Sequence, residues 1–271
     1  MTGNTALLFP VLGALLTIAC GPDYDDVLLI GHRGSPTGAP ENSLAGFELA
    51  YEQGADGVEF DVHQTRDGRN VVMHDVTVDR TTNCTGRVRD YSVEEIRTCT
   101  LSNGEPVVTL GEMLSSIDGL FEIIFLEIKV PEDPPPPDED TVAQVEDAVA
   151  AVRASGLADK TVIISYSHVA LRRIAARQAD GVIGGWDDFT TESISNASRY
   201  DMPWVLMPVR TIEPWMGDIV VGLGRQLAVY QVVTVSEFVR AIDGRARAIM
   251  VDSPPTFAAL LGRMPRKLPR E

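Results

Sequence analysis

Glu59 and Asp61 stand two apart in Val58-Glu59-Phe60-Asp61-Val62. Successive side chains of a strand point to opposite faces, so as a strand this run puts both carboxylates on one face and Val58, Phe60 and Val62 on the other. Two inward carboxylates are costly unless a cation offsets their desolvation. Glu127, in Leu126-Glu127-Ile128-Lys129, completes an oxygen-rich set suited to a divalent metal ion, Ca2+ or Mg2+. A Glu-x-Asp pair alone is more often solvated or salt-bridged; its neighbours here argue otherwise. His32 and His74 are two of the four histidines. An imidazole titrates near pH ~6.5, so one can serve as base and the other as acid. Arg33 offers a planar fork and Lys129 a point charge for phosphate oxygens. A cation, an Arg and a Lys around two His would neutralise charge during displacement at phosphorus. His63, two residues beyond Asp61, is a weaker candidate, a ligand or a rim residue. His168 reads as part of a helix cap.

These residues need elements that bring them together. Continuous or alternating apolar runs predict strands at 27–30, 58–62, 71–74, 123–129, 161–166, 181–185, 204–209, 228–233 and 248–251. Helical spacing predicts helices at 43–53, 92–97, 141–154, 168–177, 214–223 and 236–242, with Pro131–Asp140 an exposed loop. Strand–helix alternation argues for a parallel sheet. Nine strands compete for the eight places of a closed barrel, so one of the short late segments is expected outside it. An open doubly wound sheet is the alternative, but no G-x-G-x-x-G turn follows the first strand. In a parallel barrel the site lies at the C-terminal ends of the strands. There the sequence places His32 and Arg33 after strand one, His74 after strand three, and Glu127 and Lys129 at the end of strand four.

The formal charge of −16 disfavours nucleic acid and anionic lipid surfaces as partners and requires local cations at any phosphate site. Ala6 to Ala19 is an apolar run too short to span a bilayer, which takes ~20 residues, but right for a signal segment. Ala19-Cys20-Gly21 is similar to a bacterial lipoprotein cleavage site, although no Lys or Arg precedes the run and Thr17 stands where Leu is usual. Residues 1–20 are therefore expected to be a lipoprotein-type signal segment, with membrane anchoring through a lipidated Cys20 and a secreted or cell-envelope location. A plain secretion signal and a short buried helix are the other readings. Cys84 and Cys99 then remain as an even pair, and export favours a disulfide between them over two unrelated thiols.

A set of short strings occurs in order: Gly31-His32-Arg33-Gly34, Ala39-Pro40-Glu41-Asn42-Ser43, Gly54 to Val62, Thr65-Arg66-Asp67-Gly68, Val72-Met73-His74-Asp75, Asp79-Arg80-Thr81-Thr82 and Leu126-Glu127-Ile128-Lys129. This set resembles the glycerophosphodiester phosphodiesterase family. The match is dense over about residues 27 to 130 and thins to Ile164-Ser165-Tyr166, Thr234-Val235 and Asp252-Ser253-Pro254. The resemblance implies an α/β TIM-type (β/α)8 barrel over 27–260, with a small insertion after the third strand at about 75–120 that recognises glycerol. It implies hydrolysis of a small glycerophosphodiester to glycerol 3-phosphate and an alcohol, with a glycerol hydroxyl as one candidate first nucleophile. His32 and His74 would be the acid–base pair, and Glu59, Asp61 and Glu127 the metal ligands. Arg33, Lys129, Glu41 and Tyr166 would contact substrate, and Glu41 would also reach the metal or its waters. The family's late Trp-Thr-Val-Asn reads Val233-Thr234-Val235-Ser236 here, which leaves the shape of the leaving-group side open, with Trp186 and Trp204 as candidates for the missing place. The competing functions are phospholipase D-like hydrolysis of lysophospholipids or sphingolipids, an inactive barrel used for binding, and a structural envelope lipoprotein.

Overall fold

The computed structural model describes residues 26–131, 135–187 and 192–269. The segment Ala6–Ala19 and Cys20 lie outside the described residues. Nine strands run in chain order: β1 Leu28–His32, β2 Gly57–Gln64, β3 Asn70–Val72, β4 Ile123–Ile128, β5 Thr161–Ile164, β6 Ile183–Trp186, β7 Trp204–Pro208, β8 Gln226–Val232 and β9 Ala248–Val251. All but β3 are parallel, and β1 pairs with both β2 and β9, so eight strands close into a TIM barrel. Helices α1 Leu44–Glu52, α2 Val93–Ile96, α3 Leu110–Ser116, α4 Asp138–Ser155, α5 His168–Arg177, α6 Glu192–Arg199, α7 Pro214–Gly222, α8 Val235–Asp243 and α9 Pro254–Leu260 fill the crossovers.

The strand outside the barrel is an early one, contrary to expectation. β3 returns antiparallel on β2, pairing Val62 with Val72 and Gln64 with Asn70. The turn Asp67-Gly68, with Gly68 at φ +78°, is too short for the crossover that a parallel neighbour requires. The hairpin has a consequence for the site. It folds the chain back over β2, and Met73 N donates to Asp61 O at 3.0 Å, so His74 arrives beside Asp61 without being at the end of a barrel strand.

Strand alternation divides the core. Ile30, Phe125, Ile164, Leu206, Ala228 and Met250 fill the barrel interior, while Leu29, Val58, Phe60, Leu126, Val205 and Ile249 face the helices. The helices begin where polar caps allow. Ser43 Oγ accepts from Gly46 N ahead of α1, and Thr234 with Glu237 forms a capping box ahead of α8. The segment after β3 has its own small core of Val78, Val88, Ile96, Cys99 and Val107, stapled by a Cys84–Cys99 disulfide as expected. Among the described residues no helix is long and apolar enough to cross a membrane.

Candidate active site

The inward positions of the strands alternate, so each site residue sits one step above a core residue. His32 follows Ile30, Glu127 follows Phe125, Tyr166 follows Ile164, Tyr230 follows Ala228, and Asp252 follows Met250. Asp61 and Glu127 are cross-strand partners on β2 and β4. A layer of apolar side chains is thus capped by a layer of acids, imidazoles and phenols.

Glu59, Asp61 and Glu127 are all at most 5% exposed, and one carboxylate oxygen from each lies within 4.8 Å of the others. Glu59 Oε1 has no hydrogen-bond partner among the described residues. Lys129 Nζ lies 2.6 Å from Glu127 Oε1 and 3.2 Å from Asp61 Oδ1. Burial and repulsion from Asp61 push Glu59 well above the ordinary carboxylate range. Burial also raises Glu127, against the pull of Lys129. Burial acts on Asp61 in the same sense but loses to Lys129, His74, Arg33 and the Asn42 hydrogen bond, which hold it ionised. A carboxylate cluster with an orphaned buried acceptor fits a divalent cation, whose charge would remove the repulsion.

Two imidazoles flank the cluster, each held by a carboxylate. His32 Nδ1 donates to Asp252 Oδ1 at 2.7 Å, which turns Nε2 towards Glu59 Oε2, 3.8 Å away. Burial opposes protonation of His32, but Asp252 and Glu59 outweigh it and raise its pKa. His74 Nδ1 donates to Asp75 Oδ1 at 2.7 Å. Burial lowers the pKa of His74; Asp61 opposes this and Lys129 reinforces it. His63 is neither ligand nor rim. It is buried, its Nε2 donates to His74 O at 3.0 Å, and burial pushes its pKa down to about 4. It remains neutral and fixes the His74 backbone. His168 is the exposed first residue of α5, behind the cap Ser167.

Arg33 and Asn42 hold left-handed backbone conformations, φ +55° and +56°, sparsely populated for residues with a Cβ. Arg33 N donates to Glu59 O at 2.8 Å and Asn42 N to Arg33 O at 3.0 Å, which secures the turn. A Cβ on Gly31 would come within 2.4 Å of Gly34 O, so this turn needs glycine there. The result places Arg33 Nε 3.4 Å from Asp61 Oδ2 and lets Asn42 Nδ2 donate to the same oxygen at 3.0 Å. Glu41 is not in the acidic triad. Its oxygens accept from Arg33 at 3.1 Å and from Arg80 at 2.6 and 2.7 Å. Arg80 also grips Asp75 through Nε at 2.6 Å, so one guanidinium from the insertion reaches Glu41 and, through Asp75, His74.

Tyr166 lines the cleft with His32, Glu59, Glu127, Asp187 and Tyr230, and its ring lies under Lys129 Nζ at 4.9 Å. Tyr230 Oη donates to Asp187 Oδ1 at 3.0 Å. Burial raises both phenols, so they remain protonated donors. Neither candidate tryptophan lies in the cleft. Trp204 packs edge-on against Phe125 at the start of β7, and Trp186 stacks on Tyr200 outside the barrel. Sequence reasoning gave no role at the site to Asp252, Asp75, Arg80, Asn42, Asp187 or Tyr230, although the first four stand in the strings quoted above. For Asp252 and Tyr230 the usable signal was the two-residue step beyond an inward core position.

The fold and site define a TIM barrel with an acidic triad, two carboxylate-backed imidazoles and a small set of cations. The model of the glycerophosphoryl diester phosphodiesterase family matches residues 32–256, and the chain belongs to that family. It is 37% identical over 154 residues to a glycerophosphodiester phosphodiesterase of Caldanaerobacter subterraneus, covering 54% of this chain and 61% of that protein. It is 52% identical over 73 residues to human glycerophosphodiester phosphodiesterase 1, covering 27% of this chain and 22% of the human protein. The chain thus spans about three fifths or less of these two relatives. Among solved structures, a glycerophosphodiester phosphodiesterase from Parabacteroides distasonis superposes with a TM-score of 0.77 at 24% identity, over 88% of this chain and 97% of that one. An Oleispira antarctica phosphodiesterase in complex with the product sn-glycerol-3-phosphate gives 0.77 at 20% identity, over 87% and 96%.

Proposed function

We propose that this chain hydrolyses glycerophosphodiesters to glycerol 3-phosphate and an alcohol, in a reaction that depends on a divalent cation, Ca2+ or Mg2+. The observation that carries the proposal is the buried triad Glu59, Asp61 and Glu127, with an unpartnered acceptor, set between two imidazoles whose Nδ1 atoms are already committed. The triad would hold the cation, which supplies charge neutralisation on a phosphoryl oxygen. Arg33 and Lys129 would bind the other non-bridging oxygens. His32 and His74 would move protons through Nε2, one at the attacking oxygen and one at the leaving oxygen. Asp252 and Asp75 fix the ring orientations and tautomers required for that work. Tyr166 closes one wall of the cleft. Named relatives and the product bound to the Oleispira enzyme support this substrate class.

We also propose export and a lipid anchor on Cys20. The Cys84–Cys99 disulfide supports this, since such bonds persist in oxidising compartments. A second reading, phospholipase D-like hydrolysis of lysophospholipids or sphingolipids, is favoured by one observation: directly after β8, where the resemblance calls for a Trp, Val233 stands 68% exposed, a smaller apolar side chain. Release of glycerol 3-phosphate from glycerophosphocholine and glycerophosphoethanolamine, with EDTA and then with Ca2+ or Mg2+ restored, tests the proposal. Metal-dependent release is expected. No release from a folded, metal-bound protein would sink it and direct the assay to lysophospholipids.

A further inference from the structure

We propose that the outer face of α7, α8 and α9 is a docking surface for a lipid bilayer. Nine large apolar side chains stand exposed among the described residues, and every one lies between Trp215 and Met264. The rest of the described surface follows the usual pattern of apolar inside and polar outside; this stretch does not. A contiguous exposed apolar patch on a soluble domain marks an interaction surface.

The exposed residues form a surface because their helices adjoin. Trp215 and Ile219 are four apart on α7, and Val235 and Val239 are four apart on α8, so each pair shares a helix face. A Cβ on Gly217 of α7 would meet Gly244 O at 1.9 Å, so the backbones of α7 and the end of α8 nearly touch. Asp218 and Arg245 bridge the same junction at 2.7 Å. Phe238 and Phe257 join α8 to α9 with ring centroids 4.8 Å apart. Exposed Leu260 and Met264 continue the face past α9.

The path of the chain selects lipid as the occupant. Of the basic side chains in residues 213–269, Arg225, Arg247, Arg263 and Arg266 pair with Asp201, Asp26 and Asp56 from outside the stretch, and Arg245 pairs with Asp218 within it, so the face has no basic surplus and its contact with a bilayer is apolar. Trp215 sits at the start of α7, by the barrel rim that carries the active site, and Trp is favoured at the membrane–water interface. At the other end, Arg263 Nη2 donates to Val27 O, which places Leu260 and Met264 beside the point where the chain enters β1. Cys20 lies six residues before Asp26, a tether of at most ~20 Å. A lipid there would hold this side of the barrel against the bilayer.

Tryptophan emission tests the proposal. Trp186 and Trp204 are 1% and 4% exposed, whereas Trp215 is 54% exposed, so a change on adding vesicles reports the proposed face. The full chain carrying Cys20→Ser is titrated with vesicles of phosphatidylcholine and of phosphatidylcholine with one quarter phosphatidylglycerol. A blue shift is expected with the phosphatidylcholine vesicles, and the anionic vesicles should not lower the lipid concentration at which it appears. The double variant Ile219→Asp/Val239→Asp should lose the shift and partition roughly tenfold or more weakly. Its turnover of water-soluble glycerophosphocholine should match that of the parent, which also shows that it folds. Vesicle binding with unchanged emission would mean that the N-terminal apolar run alone holds the membrane, and would overturn the proposal. So would no binding at all. A shift that needs only higher protein concentration, without vesicles, would reassign the face to a second copy of the chain.

Discussion

Removing divalent metal should make the stability of this protein fall as pH rises through neutrality. Burial raises the pKa of Glu59 and Glu127 above the ordinary 4.5, so the folded metal-free cluster holds protons that the unfolded chain releases. A carboxyl with a raised folded pKa gives stability that is complete below its unfolded value and lost as pH climbs through the folded one. Each proton so held makes stability fall by ~1.4 kcal/mol per pH unit within that window. For a domain of this size one such proton corresponds to roughly 3–6 °C in Tm per pH unit. A bound cation replaces the protons, so its stabilisation should grow with pH. At 100 times its Kd it would contribute about 2.7 kcal/mol. Differential scanning fluorimetry at pH 6, 7 and 8, in EDTA and in millimolar Ca2+ or Mg2+, reads both effects. The expected result is a Tm that falls with pH in EDTA, and a metal-induced rise larger at pH 8 than at pH 6. A metal-free Tm that is flat or increases over this range, with no response to either cation, would refute the reasoning about the triad.

Two further outcomes follow from the insertion. Arg80→Gln releases Glu41 and Asp75 together and frees His74 to rotate, so kcat should fall ~10- to 100-fold without loss of fold. Arg80→Lys should recover only part of it, since one ammonium cannot make both forked contacts; full activity in Arg80→Gln would remove the residue from the account. Replacing Cys84 and Cys99 by Ala opens a loop of 15 residues, worth ~3 kcal/mol in the chain-entropy model. A Tm unchanged by the double replacement, or by reductant, would contradict a stapling role.

The strands and the acid–imidazole set were legible because buried parallel strands and their polar ends are local signals. Val58 to Val62 declares both its period and its charge, and Glu127 and Lys129 follow an unbroken apolar run. The order of strands around the barrel was less legible. β3 reads like any buried strand, and only its three-residue length and the Asp67-Gly68 turn separate a hairpin from a barrel stave. Helices α3 and α6 went unread, although α3 opens on a Thr109–Glu112 capping box. Asp252 and Tyr230 escaped because each depends on the inward parity of its strand, which is fixed only when the barrel closes. Arg80 escaped for another reason: its partners lie 5 and 39 residues away, and nothing in local sequence links them. The missing pocket aromatic shows the limit of substitution by type, since Trp186 and Trp204 are both committed to packing.

The central claim is that His32 and His74 move the protons of a phosphodiester cleavage at a metal-binding triad. Turnover of glycerophosphocholine followed by phosphorus NMR, in the parent and in His32→Ala and His74→Ala, tests it most directly. The account predicts glycerol 3-phosphate from the parent and a rate ~10²–10⁴ lower in each variant, with the metal-induced rise in Tm retained. Either variant turning over at the parent rate would contradict it.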